Sequence, residues 1–126
     1  MTHPTDEDTR AFCLVLRDFC RDQVMPTAAR RDREAICPTE ILAGLADLGA
    51  LGITVPEEYG GLGLGMSTQV RAIEEVAYAD ASVGSVLAGH YLGMEAIRQF
   101  GSAEQCRAYL PAVADGTFRF AFALTE

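Results

Sequence analysis

Apolar residues recur at three- and four-residue intervals over most of this chain, the period of helices that bury one face. Thr5 followed by Asp6, Glu7 and Asp8 makes a helix start, because carboxylates favour the positive end of the helix dipole. Phe12, Val15, Phe19 and Cys20 then share a face, which predicts a first helix running toward Val24, with Pro26 ending or kinking it. The charged stretch 26–33 is able to resume that helix. Pro38 suits the first position of a second helix, striped by Ile41, Leu42, Leu45 and Leu48 and closed by Gly49. Ser67 is expected to cap a third, with Val70, Ile73, Val76 and Ala77 inward and Arg71, Glu74 and Glu75 outward. Asp80 or Ser82 opens a fourth reaching about Phe100, and Ser102 with Gln105 forms a capping box for a fifth ending near Gly116.

Two stretches break the period. From Ala50 to Gly65 glycines and Pro56 interrupt Leu51, Ile53, Val55, Tyr59, Leu62 and Leu64, so this loop is expected to pack against the body instead of being solvated. The segment Phe118–Glu126 is aromatic-rich and reads as a strand. A strand without a partner leaves its backbone groups unpaired, so the rest of its sheet is expected on residues outside this chain. The expected organisation is all-α, a helical domain over 1–116 followed by the first strand of a truncated β domain over 117–126.

The fourth helix is unusual. No residue from Ala81 to Met94 carries a formal charge, so neighbours are expected to bury most of its circumference. It also holds Gly84, Gly89 and Gly93, each costing up to about 1 kcal/mol relative to alanine. Missing side chains admit close approach, so Gly84, Ser85, Ala88 and Gly89 outline either a smooth channel or a tight helix crossing. His90 and Tyr91 read as core residues, while Glu95 and Arg98 are expected to return the helix to solvent.

Composition narrows the chemistry. A net charge of −8 works against nucleic acid and anionic membrane surfaces as partners. All ten basic residues are arginine, a feature without functional weight. Cys13, Cys20, Cys37 and Cys106 form no CxxC pair and have no histidine at ligand spacing, so they read as small buried hydrophobes in a reducing compartment, and no metal site is expected. No signal peptide and no membrane span is discernible, which makes a soluble cytoplasmic protein the default expectation. Gly60-Gly61-Leu62-Gly63-Leu64-Gly65 lacks the lysine and serine of a phosphate loop. The pairs Glu57-Glu58 and Glu74-Glu75 read as solvated surface, and no nucleophile with a base can be assembled, so no catalytic residue is assigned.

The order of motifs then carries a resemblance. Leu48 to Gly63, with Pro56-Glu57-Glu58-Tyr59-Gly60-Gly61 at its centre, is followed by Glu74-Glu75-Val76-Ala77, Asp80-Ala81-Ser82, Leu92-Gly93, Phe100-Gly101-Ser102-Ala103-Glu104-Gln105 and Ala123-Leu124-Thr125-Glu126. In this register the chain resembles the N-terminal half of acyl-CoA dehydrogenases over nearly its whole length. The resemblance implies a helical domain, a middle β-barrel domain and a C-terminal four-helix domain, with FAD between the last two. It implies α,β-dehydrogenation of an acyl-CoA or acyl-carrier thioester, with electrons passed to an acceptor such as an electron-transfer flavoprotein, in a protein that is commonly oligomeric when complete. The carboxylate base of most members lies in the C-terminal domain, so this chain by itself is expected to be inactive. By resemblance, Gly84, Ser85, Ala88 and Leu92 contact the acyl chain, and Phe122, Leu124 and Thr125 face the flavin. Ala88 is small where some straight-chain members carry a larger polar residue, which implies a roomier cavity. Two other readings remain open here: a related flavin monooxygenase or acyl-CoA oxidase, and a non-catalytic helical scaffold or dimerisation module.

Overall fold

The computed structural model describes residues 6–123. It contains α1 (Asp6–Phe19), a π-type turn (Cys20–Val24), α2 (Met25–Glu34), α3 (Thr39–Asp47), α4 (Met66–Ala79), α5 (Ala81–Phe100) and α6 (Ala103–Ala114). Short 3-10 turns at Ala50–Gly52 and Glu57–Tyr59 punctuate the loop between α3 and α4. The all-α expectation therefore holds. The acidic start of α1 is present, but Thr5 lies outside the described residues.

Pro26 neither ends nor breaks the first helix. The backbone passes through the π-type turn directly into α2, and Pro26 falls at its first positions, where a missing N–H is tolerated. Within α1 and this turn the inward stripe is Thr9, Cys13, Leu16, Cys20 and Val24, whereas Val15 is exposed. Phe12 and Phe19 pack against the core from its margin.

α4 lies against α1 on one side and α5 on the other, while α6 and the first 3-10 turn close over α5. Ser67 does not cap α4; the helix starts one residue earlier, after Gly65, with no side-chain cap. Its inward face is Thr68, Gln69, Ala72, Val76 and Ala79, and Val70 is exposed. The polar Thr68 is tolerated inside because Thr9 Oγ1 meets its hydroxyl at 2.8 Å. Asp80 caps α5, its carboxylate accepting from the N–H groups of Ser82 and Val83. The Ser102–Gln105 capping box is present in both directions.

The packed loop expected between α3 and α4 is there. Leu51, Ile53 and Val55 are fully buried. Leu62, Gly63 and Leu64 donate to the carbonyls of Gly52, Val55 and Ile53, so the loop folds back on itself in hairpin fashion. Gly61 has to be glycine here, because a Cβ would stand 2.2 Å from the Val55 carbonyl oxygen.

The strand expected from Phe118 is not formed over the described residues. Phe118–Ala123 runs without helix or ladder pairing, and the Phe120 N–H goes to a side chain, His90. Aromatic composition favours extended backbone, but a strand exists only beside another strand.

Candidate functional site

α5 organises the site, and its glycines separate into different roles. A Cβ on Gly84 would lie 2.6 Å from the Ala77 Cβ and 2.8 Å from its Cα, so Gly84 is where α4 and α5 cross closely. A Cβ on Gly93 would meet the Phe120 Cβ at 2.6 Å, so this glycine seats the segment after α6. A Cβ on Gly89 would meet no atom of another part of the molecule within 4 Å.

The expectation that neighbours bury most of α5 is half met. Val83, Leu87, His90, Tyr91 and Met94 are buried, while Ser85, Val86 and Leu92 are exposed and Ala88 and Gly89 are half-buried. Leu92 is 58% exposed and Phe100, one further along this side, 86%. The four acyl-pocket candidates thus divide. Ser85, Ala88 and Leu92 lie on or beside an open, uncharged strip that Gly89 leaves smooth, while Gly84 faces inward onto α4. Of the flavin-facing candidates, Phe122 is half exposed, and Leu124 and Thr125 lie outside the described residues.

Buried polar groups fix the back of α5. His90 Nδ1 accepts the Phe120 N–H at 3.1 Å, so the proton of the neutral ring resides on Nε2, which donates to the Leu51 carbonyl at 3.0 Å. Burial lowers the His90 pKa; the Leu51 contact opposes this and the positive charge of Arg119 reinforces it. The Tyr91 hydroxyl donates to the Ala50 carbonyl, and burial pushes its pKa well above the usual phenol range. Both residues are the core groups the sequence implied.

Sequence reasoning missed the role of Glu95, which does not return the helix to solvent. Its carboxylate accepts from the Thr54 hydroxyl, from Gln69 at 3.4 Å, from Gln99 at 2.9 Å and from the Arg98 guanidinium at 2.9 and 2.7 Å. Burial works to raise the Glu95 pKa, but donation from Arg98, Thr54 and Gln99 outweighs it and holds the carboxyl below its ordinary value. The one signal was Thr54, a polar residue between Ile53 and Val55; Gln69 sits among Ser67, Thr68 and Arg71 and gave none.

A second buried pair lies at the α4–α5 corner. Arg31 Nη2 donates to Asp80 at 2.6 Å and to the Val24 carbonyl at 2.9 Å, and the two side chains are 8% and 9% exposed. Burial opposes ionisation of Asp80, yet Arg31 and the N–H groups of Ser82 and Val83 together keep its carboxyl below the usual range.

Other candidates stay bland. Glu57, Glu58 and Glu74 are exposed, while Glu75 pairs with Arg17. The N–H groups of Gly60, Gly61, Leu62, Gly63 and Leu64 are all used within the loop, which leaves no cradle for a phosphate. Cys13, Cys20 and Cys106 are buried, and burial pushes the Cys20 thiol up to about 11; Cys37, against expectation, is exposed. No group of three potential ligands that could hold a metal ion occurs among the described residues. No helix among them is long and apolar enough to cross a membrane.

Comparison with known proteins agrees with this geometry. The family model "Acyl-CoA dehydrogenase, N-terminal domain" matches residues 6–117. An acyl-CoA dehydrogenase of Bacillus subtilis is 36% identical over 125 residues, which are 98% of this chain and 33% of that protein. The solved butyryl-CoA dehydrogenase of Megasphaera elsdenii superposes with a TM-score of 0.89 at 32% identity, covering 100% of this chain and 34% of that one. An acyl-CoA dehydrogenase of Bacillus anthracis, solved in complex with FAD, gives 0.83 at 30% identity over 97% of this chain and 21% of that one. The chain spans about a third of the length of the first of these relatives. With residues 6–117 matched and the fold shared throughout, this chain belongs to the acyl-CoA dehydrogenase family and corresponds to its N-terminal domain.

Proposed function

We propose that this chain supplies one wall of the acyl pocket in an FAD-dependent acyl-CoA dehydrogenase acting on an acyl thioester. The observation that carries the reading is the open strip of α5. Ser85, Ala88, Gly89 and Leu92 present a surface without charge on a protein of net charge −8, and nothing fills the space beside Gly89. Such a strip suits an aliphatic chain, whose contact with it removes apolar area from water at about 25 cal/mol per Å². Gly84 contributes indirectly, by letting α4 approach and fixing the tilt of the strip. Covering the strip excludes water from the acyl chain, which a dehydrogenation next to an acidified α-carbon requires.

The residues present fit FAD in part. Phe122 offers a half-exposed ring, and Leu124 and Thr125 follow in sequence, but the N–H groups from Gly60 to Leu64 are engaged within the glycine-rich loop. Most cofactor contacts, and the carboxylate base, therefore belong to other domains of a complete enzyme. FAD, when bound, supplies the acceptor for the hydrogen leaving the acyl β-carbon. An electron-transfer flavoprotein is the proposed onward acceptor, and assembly into a homo-oligomer is proposed for the complete protein.

A chimera tests this. The chain replaces the matching N-terminal third of the Megasphaera butyryl-CoA dehydrogenase, and FAD content and acyl-CoA-dependent flavin bleaching are measured. The chimera is expected to hold FAD and turn over, and Ala88→Phe is expected to lower kcat/KM for longer acyl chains by about tenfold or more while sparing short ones. A folded, FAD-loaded chimera whose chain-length profile ignores substitution at both Ala88 and Leu92 would refute the pocket assignment. The 126-residue chain alone is expected to show neither flavin absorbance after mixing with FAD nor acyl-CoA oxidation.

A further inference from the structure

His90 is a buried titratable group that the proposed reaction does not use. It joins three parts of the molecule. From α5 it donates through Nε2 to the Leu51 carbonyl in the first 3-10 turn, and through Nδ1 it accepts the N–H of Phe120 in the segment after α6. The same segment is held by the fit of Phe120 against Gly93 and by ring contacts among Phe120, Phe118 and Tyr109 with centroids 5.0 to 6.3 Å apart. Between Phe118 and Ala123 the segment makes no strand pairing, so the bond to Nδ1 is its polar anchor on α5.

We propose that neutral His90 is a positioning residue that latches the Phe118–Ala123 segment to α5, and that proton uptake at Nδ1 opens the latch. The chemistry follows from the ring's inventory. A neutral imidazole has one donor and one acceptor, and both are engaged. Protonation turns Nδ1 into a second donor facing the Phe120 N–H, so that bond is lost while the Nε2 bond to Leu51 survives. Arg119, the charged neighbour in the segment itself, repels the added proton. The first 3-10 turn presents only Ala50, Leu51 and Gly52, α5 adds the Tyr91 phenol, whose pKa burial raises, and α6 adds the Tyr109 ring against Phe120. The latch is therefore closed at neutral pH and opens only in acid. Its meaning for catalysis rests on the reading above, in which Phe122 and the residues after it approach the flavin: a closed latch would set where they stand.

The test involves no flavin, so its failure leaves the pocket reading intact. His3 and His90 are the two histidines, which makes ring-nitrogen NMR signals of the 126-residue protein assignable. Between about pH 7.5 and pH 4.5, a window that brackets the ordinary histidine range, Nδ1 titration and intrinsic-rate-corrected exchange of the Phe120 amide are followed together. Opening is expected to cost that amide about five- to tenfold in protection, the size of one backbone hydrogen bond, with the same midpoint as the ring. His90→Asn places an oxygen near Nδ1 that accepts without titrating, so its Phe120 protection is expected to stay high and independent of pH. His90→Gln keeps the Nε2-like donor and is expected to lose protection at every pH. Phe120 protection that does not follow the His90 ring in the wild-type protein, or a folded His90→Asn whose protection still falls in acid, would overturn the proposal. If His90→Asn does not fold, the wild-type co-titration decides alone.

Discussion

At the scale of single residues, stability hinges on charges that are buried but fully committed. Arg31 spans α2 and the α4–α5 corner and serves Asp80, the Val24 carbonyl and the Thr27 hydroxyl together. Removing one partner strands the other, so Arg31→Ala is expected to lower the unfolding free energy by about 3–5 kcal/mol. Urea denaturation at pH 7 measures this, and a loss within experimental scatter would mean that water replaces the guanidinium. The acid behaviour follows from sign. Asp80 and Glu95 have folded pKa values below their ordinary ones, so their contribution is complete above about pH 5 and is lost as pH falls through the depressed folded values. Denaturation repeated from pH 5 down to about pH 2 should show stability declining, and Asp80→Asn should flatten part of that decline while starting lower.

At the scale of elements, the glycines of α5 give opposite expectations for the same substitution. Gly89→Ala adds a methyl group into open space and removes the glycine penalty, so it is expected to stabilise by about 0.5–1 kcal/mol. Gly84→Ala gains the same propensity but forces its Cβ into Ala77, backbone included, and overpacking of this kind costs about 1–3 kcal/mol. The net effect there is destabilising, and paired thermal melts separate the two. What was legible in sequence divides along similar lines. Features settled within a few residues were readable: the Ser102–Gln105 box, the Asp80 cap and the helical period of α3. Features settled by distant partners were not. Thr68 and Gln69 lie inward and Val70 outward because Thr9, Thr54 and Glu95 wait on other elements to satisfy the polar pair. Phe118–Ala123 is unpaired for the same reason, since pairing belongs to two segments and composition to one. The open strip of α5 was half legible: the absence of charge was visible, but whether neighbours cover it depends on packing that no local pattern encodes.

At the scale of the whole molecule, exposed apolar groups occur on more than one face: Leu14, Val15, Val70 and Tyr78 lie on α1 and α4, and a second set follows α5 to the end of the described residues. Leu92, Phe100, Tyr109, Phe118 and Phe122 are each at least 40% exposed and belong to α5, α6 and the segment after them. A charged coat with net charge −8 keeps such a protein dispersed by repulsion, which salt screens. The 126-residue chain is therefore expected to self-associate more as salt rises, through this face. Leu92→Asp tests the location: at a position already 58% exposed it should change the unfolding free energy by no more than about 0.5 kcal/mol, yet suppress the salt-induced association seen by sedimentation. In the chimera the proposed pocket places the same substitution against acyl chain or a neighbouring domain instead of water. There Leu92→Asp should raise KM for longer acyl thioesters or lower FAD retention, and a variant neutral in both settings would show that the face of α5 carrying Leu92 meets neither.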